Sequence, residues 1–119
     1  MSMEEINFEI LQCVDRGLSI FGSGVASTTY WQLLFVHNLK PSEIALKPEV
    51  LSRVLYGIFG SKSASIFEKS IVRQLVAKFR VKFAASDFPT LVSQILRMQR
   101  LGPLEAYAET IQRNVVRKH

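Results

Sequence analysis

The sequence predicts an all-α fold, a compact bundle of about five to six helices in one domain. Three observations carry this. Apolar residues recur at separations of three and four along most of the chain. Gly, Pro and Asn punctuate those recurrences at helix-length intervals. The 119 residues, 48% of them apolar, are enough to fill one real core.

Residues 3 to about 18 read as the first helix, with Ile6, Ile10, Leu11, Val14 and Leu18 on one side. Its early turns carry Glu4, Glu5 and Glu9, as the positive end of a helix dipole favours. Gly17, Gly22 and Gly24 then break the pattern. The piece FGSGVAS holds a G-x-G without the preceding strand or following Lys of a phosphate loop, and reads as a bend. Residues 26 to 38 form the second helix, with Ser27 placed to cap it and Asn38 to end it. Tyr30, Trp31, Leu34 and Phe35 supply its bulk. Their spacing is helical, which favours a core stripe over an aromatic platform for stacking bases. The segment NLKPSEIALKP is a short prolyl connector, in which Pro41, Ser42 and Glu43 open one turn of helix.

Lys47 to Val81 is the stretch around which the chain is organised. Pro48 suits the first turn of a helix and Glu49 its dipole. Val50, Leu51, Val54, Leu55, Ile58 and Phe59 form an apolar stripe, and Gly60 stops the helix with a positive-φ residue. Ser61 or Ser63 is placed to cap the next helix. There, Ala64, Phe67, Ile71, Val72, Leu75 and Phe79 fall on one arc, with Glu68 at its edge, which reads as a snorkelling carboxylate ahead of a partly buried, paired one. Lys62, Lys69, Arg73 and Arg80 are separated by 7, 4 and 7 residues and return to nearly the same helical angle on the opposite side. Charge opposite a core stripe is expected of any surface helix. Here no carboxylate interrupts it, whereas a merely soluble face mixes signs. Lys78 and Lys82 lie off the stripe.

Beyond Arg80 the helix frays through residues 81–85. Ser86 or Asp87 caps the next one, with Pro89 in its first turn and Leu91, Val92, Ile95, Leu96 and Met98 on its apolar side. Leu101-Gly102-Pro103 is a stop and restart. A last helix runs from about Leu104 to Arg117. Arg113 and Arg117 sit one turn apart near its end, where cations also suit the dipole.

Charge is uneven. Residues 1–46 carry five acids against two bases, net −3, and residues 47–119 carry thirteen bases against five acids, net +8. That asymmetry points to a polyanionic or acidic partner, or to a solubility device. The single Cys13 forbids an internal disulfide and fits a reducing, cytoplasmic compartment. The acidic start lacks the basic leader of a signal peptide. No apolar run reaches the length of a membrane span. A mildly positive mean hydropathy leaves apolar surface for a partner or a homodimer.

Residues 6–80 resemble a family of small archaeal helical domains of uncharacterised biochemistry, the Nitrosopumilus output domain family, fifth type. The matching features are Tyr30-Trp31, the block KPEVLSRVLYGIFG at 47–60 and the block IFEKSIV at 66–72. The resemblance implies an output role in archaeal signalling and brings no catalytic residues. Residues 81–119 lie beyond it and form a C-terminal helical extension.

Motifs for chemistry are sparse. His37 and His119 have no metal-ligand spacing, so neither a metal nor a cofactor is expected. Cys13 and Asp15, two apart on a helix, point in different directions and cannot form a nucleophile set with His37. Glu5 with Glu9 and Glu105 with Glu109 sit at helix starts, where a structural role is preferred. The reading is a non-enzymatic regulatory module that binds a macromolecule through a basic helix face and an apolar groove. Its rival is sequence-nonspecific nucleic-acid binding by Lys62, Lys69, Arg73 and Arg80. Only Gln74 on that helix resembles a base-reading donor.

Overall fold

The computed structural model describes residues 2–81 and 87–101. They form α1 (Met3–Ser19), α2 (Ser23–His37), a 3-10 turn (Pro41–Leu46), α3 (Pro48–Phe79) and α4 (Phe88–Leu101). Gly60 divides α3 into limbs 48–59 and 61–79, so the described residues give five helical segments and the short turn. The fold is an all-α bundle without a strand among those residues.

Each boundary has a local cause. Ser2 caps α1, its Oγ accepting from the Glu5 N–H at 3.2 Å. Asn38 ends α2 at φ 52°, a left-handed cap, and the Leu39 N–H reaches back to the Leu33 carbonyl at 2.9 Å. Glu43 accepts from the Lys40 N–H at 3.0 Å and seeds the 3-10 turn. Asp87 accepts from the Thr90 N–H at 2.9 Å and caps α4.

The second limb of α3 is the central strut. Three contacts fix α1 against it. The Ser70 hydroxyl donates to the Gly17 carbonyl at 2.8 Å, the Cys13 thiol to the Gln74 carbonyl at 3.8 Å, and Lys78 Nζ pairs with Glu9 Oε2 at 3.1 Å. Stepping back four residues on α1 advances four on α3, so the two run antiparallel, one turn per contact. Gly17 sets how closely they approach. A Cβ there would lie 2.8 Å from the Ile71 Cα. This glycine is therefore a packing residue inside α1, not the breaker that its sequence suggested.

Ile10, Cys13, Val14 and Leu18 of α1, Leu33 of α2, Leu51 and Leu55 of the first limb, Ile71 and Leu75 of the second, and Phe88, Leu91 and Ile95 of α4 share one core. The expected stripe of the second limb is thus in place, with Ala64 and Phe67 buried and Val72 and Phe79 packed at its margin.

Gly60 stands at φ 79°, ψ 163°, a conformation essentially confined to glycine. One residue makes the whole bend, where the sequence had suggested a turn and a fresh cap. Neither Ser61 nor Ser63 makes a capping hydrogen bond among the described residues. The neighbours Phe67 and Glu68 hold the bend. Phe67 meets Phe59 of the first limb edge-on, centroids 5.1 Å apart, and Phe21 from the α1–α2 turn at a tilt, centroids 4.7 Å apart. Glu68 is 8% exposed and accepts from the Ser52 hydroxyl at 2.9 Å and the Phe88 N–H at 3.1 Å, with the Tyr56 hydroxyl at 3.5 Å. It is a buried tie between both limbs and the start of α4, in line with the paired, buried reading of this residue and against the favoured snorkelling one.

Candidate interaction surface

The face of the second limb that turns away from this core carries the cations. Lys62, Lys69 and Arg73 are exposed. The limb is regular from 61 to 79, so their spacing returns them to one helical angle. The rise separates Lys62 from Lys69 by about 10 Å and Lys69 from Arg73 by about 6 Å. Among the described residues, no carboxylate lies within ion-pair distance of any of them, and the one salt bridge on this limb uses the off-stripe Lys78. Ile66, half exposed, falls between Lys62 and Lys69 on the same side. The ridge is therefore cationic with an apolar spot, suited to an acidic surface with some grease in it.

Arg80 is also exposed, but it is the C-cap at φ 51°, ψ 50°. Left-handed backbone takes its Cβ off the progression that the three others follow. The structure thus brings three of the four predicted cations into line and sets the fourth at the limb's end. Arg113 and Arg117 lie outside the described residues.

A second surface lies on α2. Its inward side is Ala26, Thr29 and Leu33, all buried, with the Thr29 hydroxyl donating to the Val25 carbonyl at 2.7 Å. Trp31, 58% exposed, Phe35, 67%, and Leu34, 38%, point the other way. Val36 is 61% exposed in the last turn, but it stands seven residues from Thr29 and so near the inward side's helical angle. The expected core stripe of aromatics is therefore overturned, with one exception. Tyr30 is half-buried and donates to Asp15 Oδ1 at 3.1 Å. Burial, then the adjacent Asp15 charge and the hydrogen bond to it, raise its phenol well above the usual value. Sequence reasoning missed this surface because α2 is apolar all round, which leaves periodicity nothing to choose between. The usable signal was Ala26-Thr29-Leu33 at separations of three and four.

The groups considered for chemistry are placed structurally. Cys13 is fully buried, and burial raises its thiol, opposite to the shift that activates a nucleophile. Asp15 holds Tyr30, Glu5 bonds Ser2 and Glu9 pairs with Lys78. His37 is exposed in the last turn of α2. Among the described residues, no group of three or more His, Cys, Asp or Glu could hold a metal ion, and no helix is long and apolar enough to cross a membrane.

Comparison with family models, with curated proteins and with solved structures gave no match.

Proposed function

We propose that the chain is a non-enzymatic interaction module that docks an acidic protein partner on the ridge of Lys62, Ile66, Lys69 and Arg73. The carrying observation is that these three cations are exposed and in line on a limb whose reverse side is core. Charge of one sign along a helix face, unpaired among the described residues, steers an oppositely charged surface and sets its register. Ile66 adds the apolar contact that fixes a short-range fit. The resemblance over residues 6–80 supports a regulatory, output-type role in an archaeal cytoplasm. The buried thiol of Cys13 suits a reducing interior.

Nucleic acid is the rival occupant of the same ridge, and one experiment separates the two. Wild-type chain and the double variant Lys69→Glu/Arg73→Glu serve as baits in extract of the native host, with bound proteins identified by mass spectrometry. In parallel, anisotropy measures binding of random duplex and single-stranded DNA at about 0.05 and 0.2 M salt, where phosphate contacts weaken steeply. A protein retained by wild type and lost by the variant supports the proposal. Its loss requires that the variant keep the wild-type helical circular dichroism. DNA binding that the variant weakens, with a flatter salt slope, favours the rival. A protein catch identical for both baits would remove the ridge from the account.

A further inference from the structure

We propose that the outer face of α2 is a self-association surface, which seats the same face of a second copy of this chain in a two-fold dimer. Trp31, Leu34 and Phe35 build it, and the Trp31 and Phe35 rings lie against each other with centroids 5.2 Å apart. At the areas of aromatic and aliphatic side chains, their exposed fractions amount to about 300 Å² of apolar surface. A patch of that size is comparable to the largest that many monomers show to water. Interfaces of this kind are about 60% apolar, so full burial of the patch implies about 500 Å² per copy and about 1,000 Å² in all. That stands at the lower bound for a specific interface and fits a weak dimer.

Charge selects the occupant. The chain carries a net +5, so two copies repel overall at long range. Alone among the α-helices of the described residues, α2 has no Asp, Glu, Lys or Arg from Ser23 to His37. An isologous contact pairs residue i with j and j with i and brings equivalents together at the axis, where an uncharged face carries no like-charge cost. Exposed rings also stack nucleobases. However, α2 supplies no cation to hold the phosphates that accompany them, and this favours the second copy.

Sedimentation velocity on the full chain from about 1 to 100 µM, at about 0.15 M salt, tests the proposal. The expected result is a concentration-dependent shift from 13.5 kDa to twice that mass. Trp31 is the single tryptophan, so its emission reports the same face and moves to the red on dilution. Phe35→Asp should weaken association by about thirtyfold or more, as loss of a central aromatic does. Because Phe35 is mostly exposed, the variant should keep its helical circular dichroism. Leu34→Lys provides the same reading if it does not. Lys69→Glu, on the other surface, should leave the mass unchanged. A wild-type chain that stays at one mass throughout overturns the proposal, as does a dimer indifferent to Phe35→Asp and Leu34→Lys. A monomer whose Trp31 emission is quenched by single-stranded DNA assigns the face to nucleic acid instead.

Discussion

Replacing Glu68 with alanine removes the acceptor at which both limbs of α3 and the start of α4 meet. Three donors point at this carboxylate, and they are not equal. The Phe88 N–H at 3.1 Å belongs to a fully buried residue, so without Glu68 it loses its acceptor in the core. A buried donor left that way costs about 1–3 kcal/mol. The Ser52 hydroxyl at 2.9 Å is only half-buried and can turn to water, at a cost of about 0.5 kcal/mol. Tyr56 is exposed and its contact is 3.5 Å, so its loss is discounted to zero. Removing a desolvated carboxylate gives some free energy back, and the void left behind takes some away. The net expectation is a loss of about 2–3 kcal/mol. For a chain of this size that is a fall in Tm of about 8–12 °C. Glu68→Gln keeps one oxygen for the Phe88 N–H and loses only the charge assistance, so it should cost about 1 kcal/mol. Urea titration followed by far-ultraviolet circular dichroism measures both. A loss below about 0.5 kcal/mol for Glu68→Ala would mean that the carboxylate is hydrated, and the reasoning about this tie would fall.

Glycine substitutions should separate three roles. Gly57→Ala, in a helical position where a Cβ meets nothing within 4 Å, should stabilise by about 0.5–1 kcal/mol in urea titrations. Gly60→Ala meets equally open space but cannot take φ 79° comfortably, and should cost about 1–3 kcal/mol by the same titration. Gly17→Ala must push α1 off Ile71, which should cost about 1–3 kcal/mol and speed amide exchange along α1. Tyr30 predicts an alkaline effect. Its folded-state pKa is raised, so the folded form holds its proton after the unfolded chain has lost its own. That contribution is complete below about pH 10 and is lost as pH rises further through the folded value. Tyr30→Phe should therefore flatten the fall in stability seen above about pH 10 in thermal melts, leaving the Phe35 and Trp31 face untouched.

The elements were legible in the sequence wherever a helix has one apolar side. The stripe from Ala64 to Leu75 and the core of α1 follow from spacing alone, because only one helical face could be buried. The bend at Gly60 and the end at Asn38 were legible from residue type, since both stand at positive φ. Two things were not. Gly17 and Gly24 read as punctuation, yet both are helical, because nothing local distinguishes a glycine that ends a helix from one that lets a neighbour approach. The orientation of α2, with Ala26, Thr29 and Leu33 inward and Trp31 and Phe35 outward, is a tertiary choice that outweighed the usual burial of Trp and Phe. Of the cationic surface, Lys62, Lys69 and Arg73 could be placed from their spacing. Arg80 could not, because periodicity assumes a helix that continues, and this one ends there.

The physical cost of the ridge bears on whether it is a mere solubility device. Lys69 and Arg73 are four residues apart on one helix, where like charges destabilise by about 0.2–0.5 kcal/mol. Solubility alone would be served as well by a glutamate at 69, which would turn that repulsion into an attractive pair with the acid on the N-terminal side, the better orientation. The charge reversal at this site is thus expected to help the isolated fold while harming the proposed docking. A generally destabilising substitution would move both in the same direction. Opposite signs for stability and binding at one exposed lysine would therefore separate a surface that serves the fold from one held against the fold's preference, a conflict that local rules lead one to expect at functional sites.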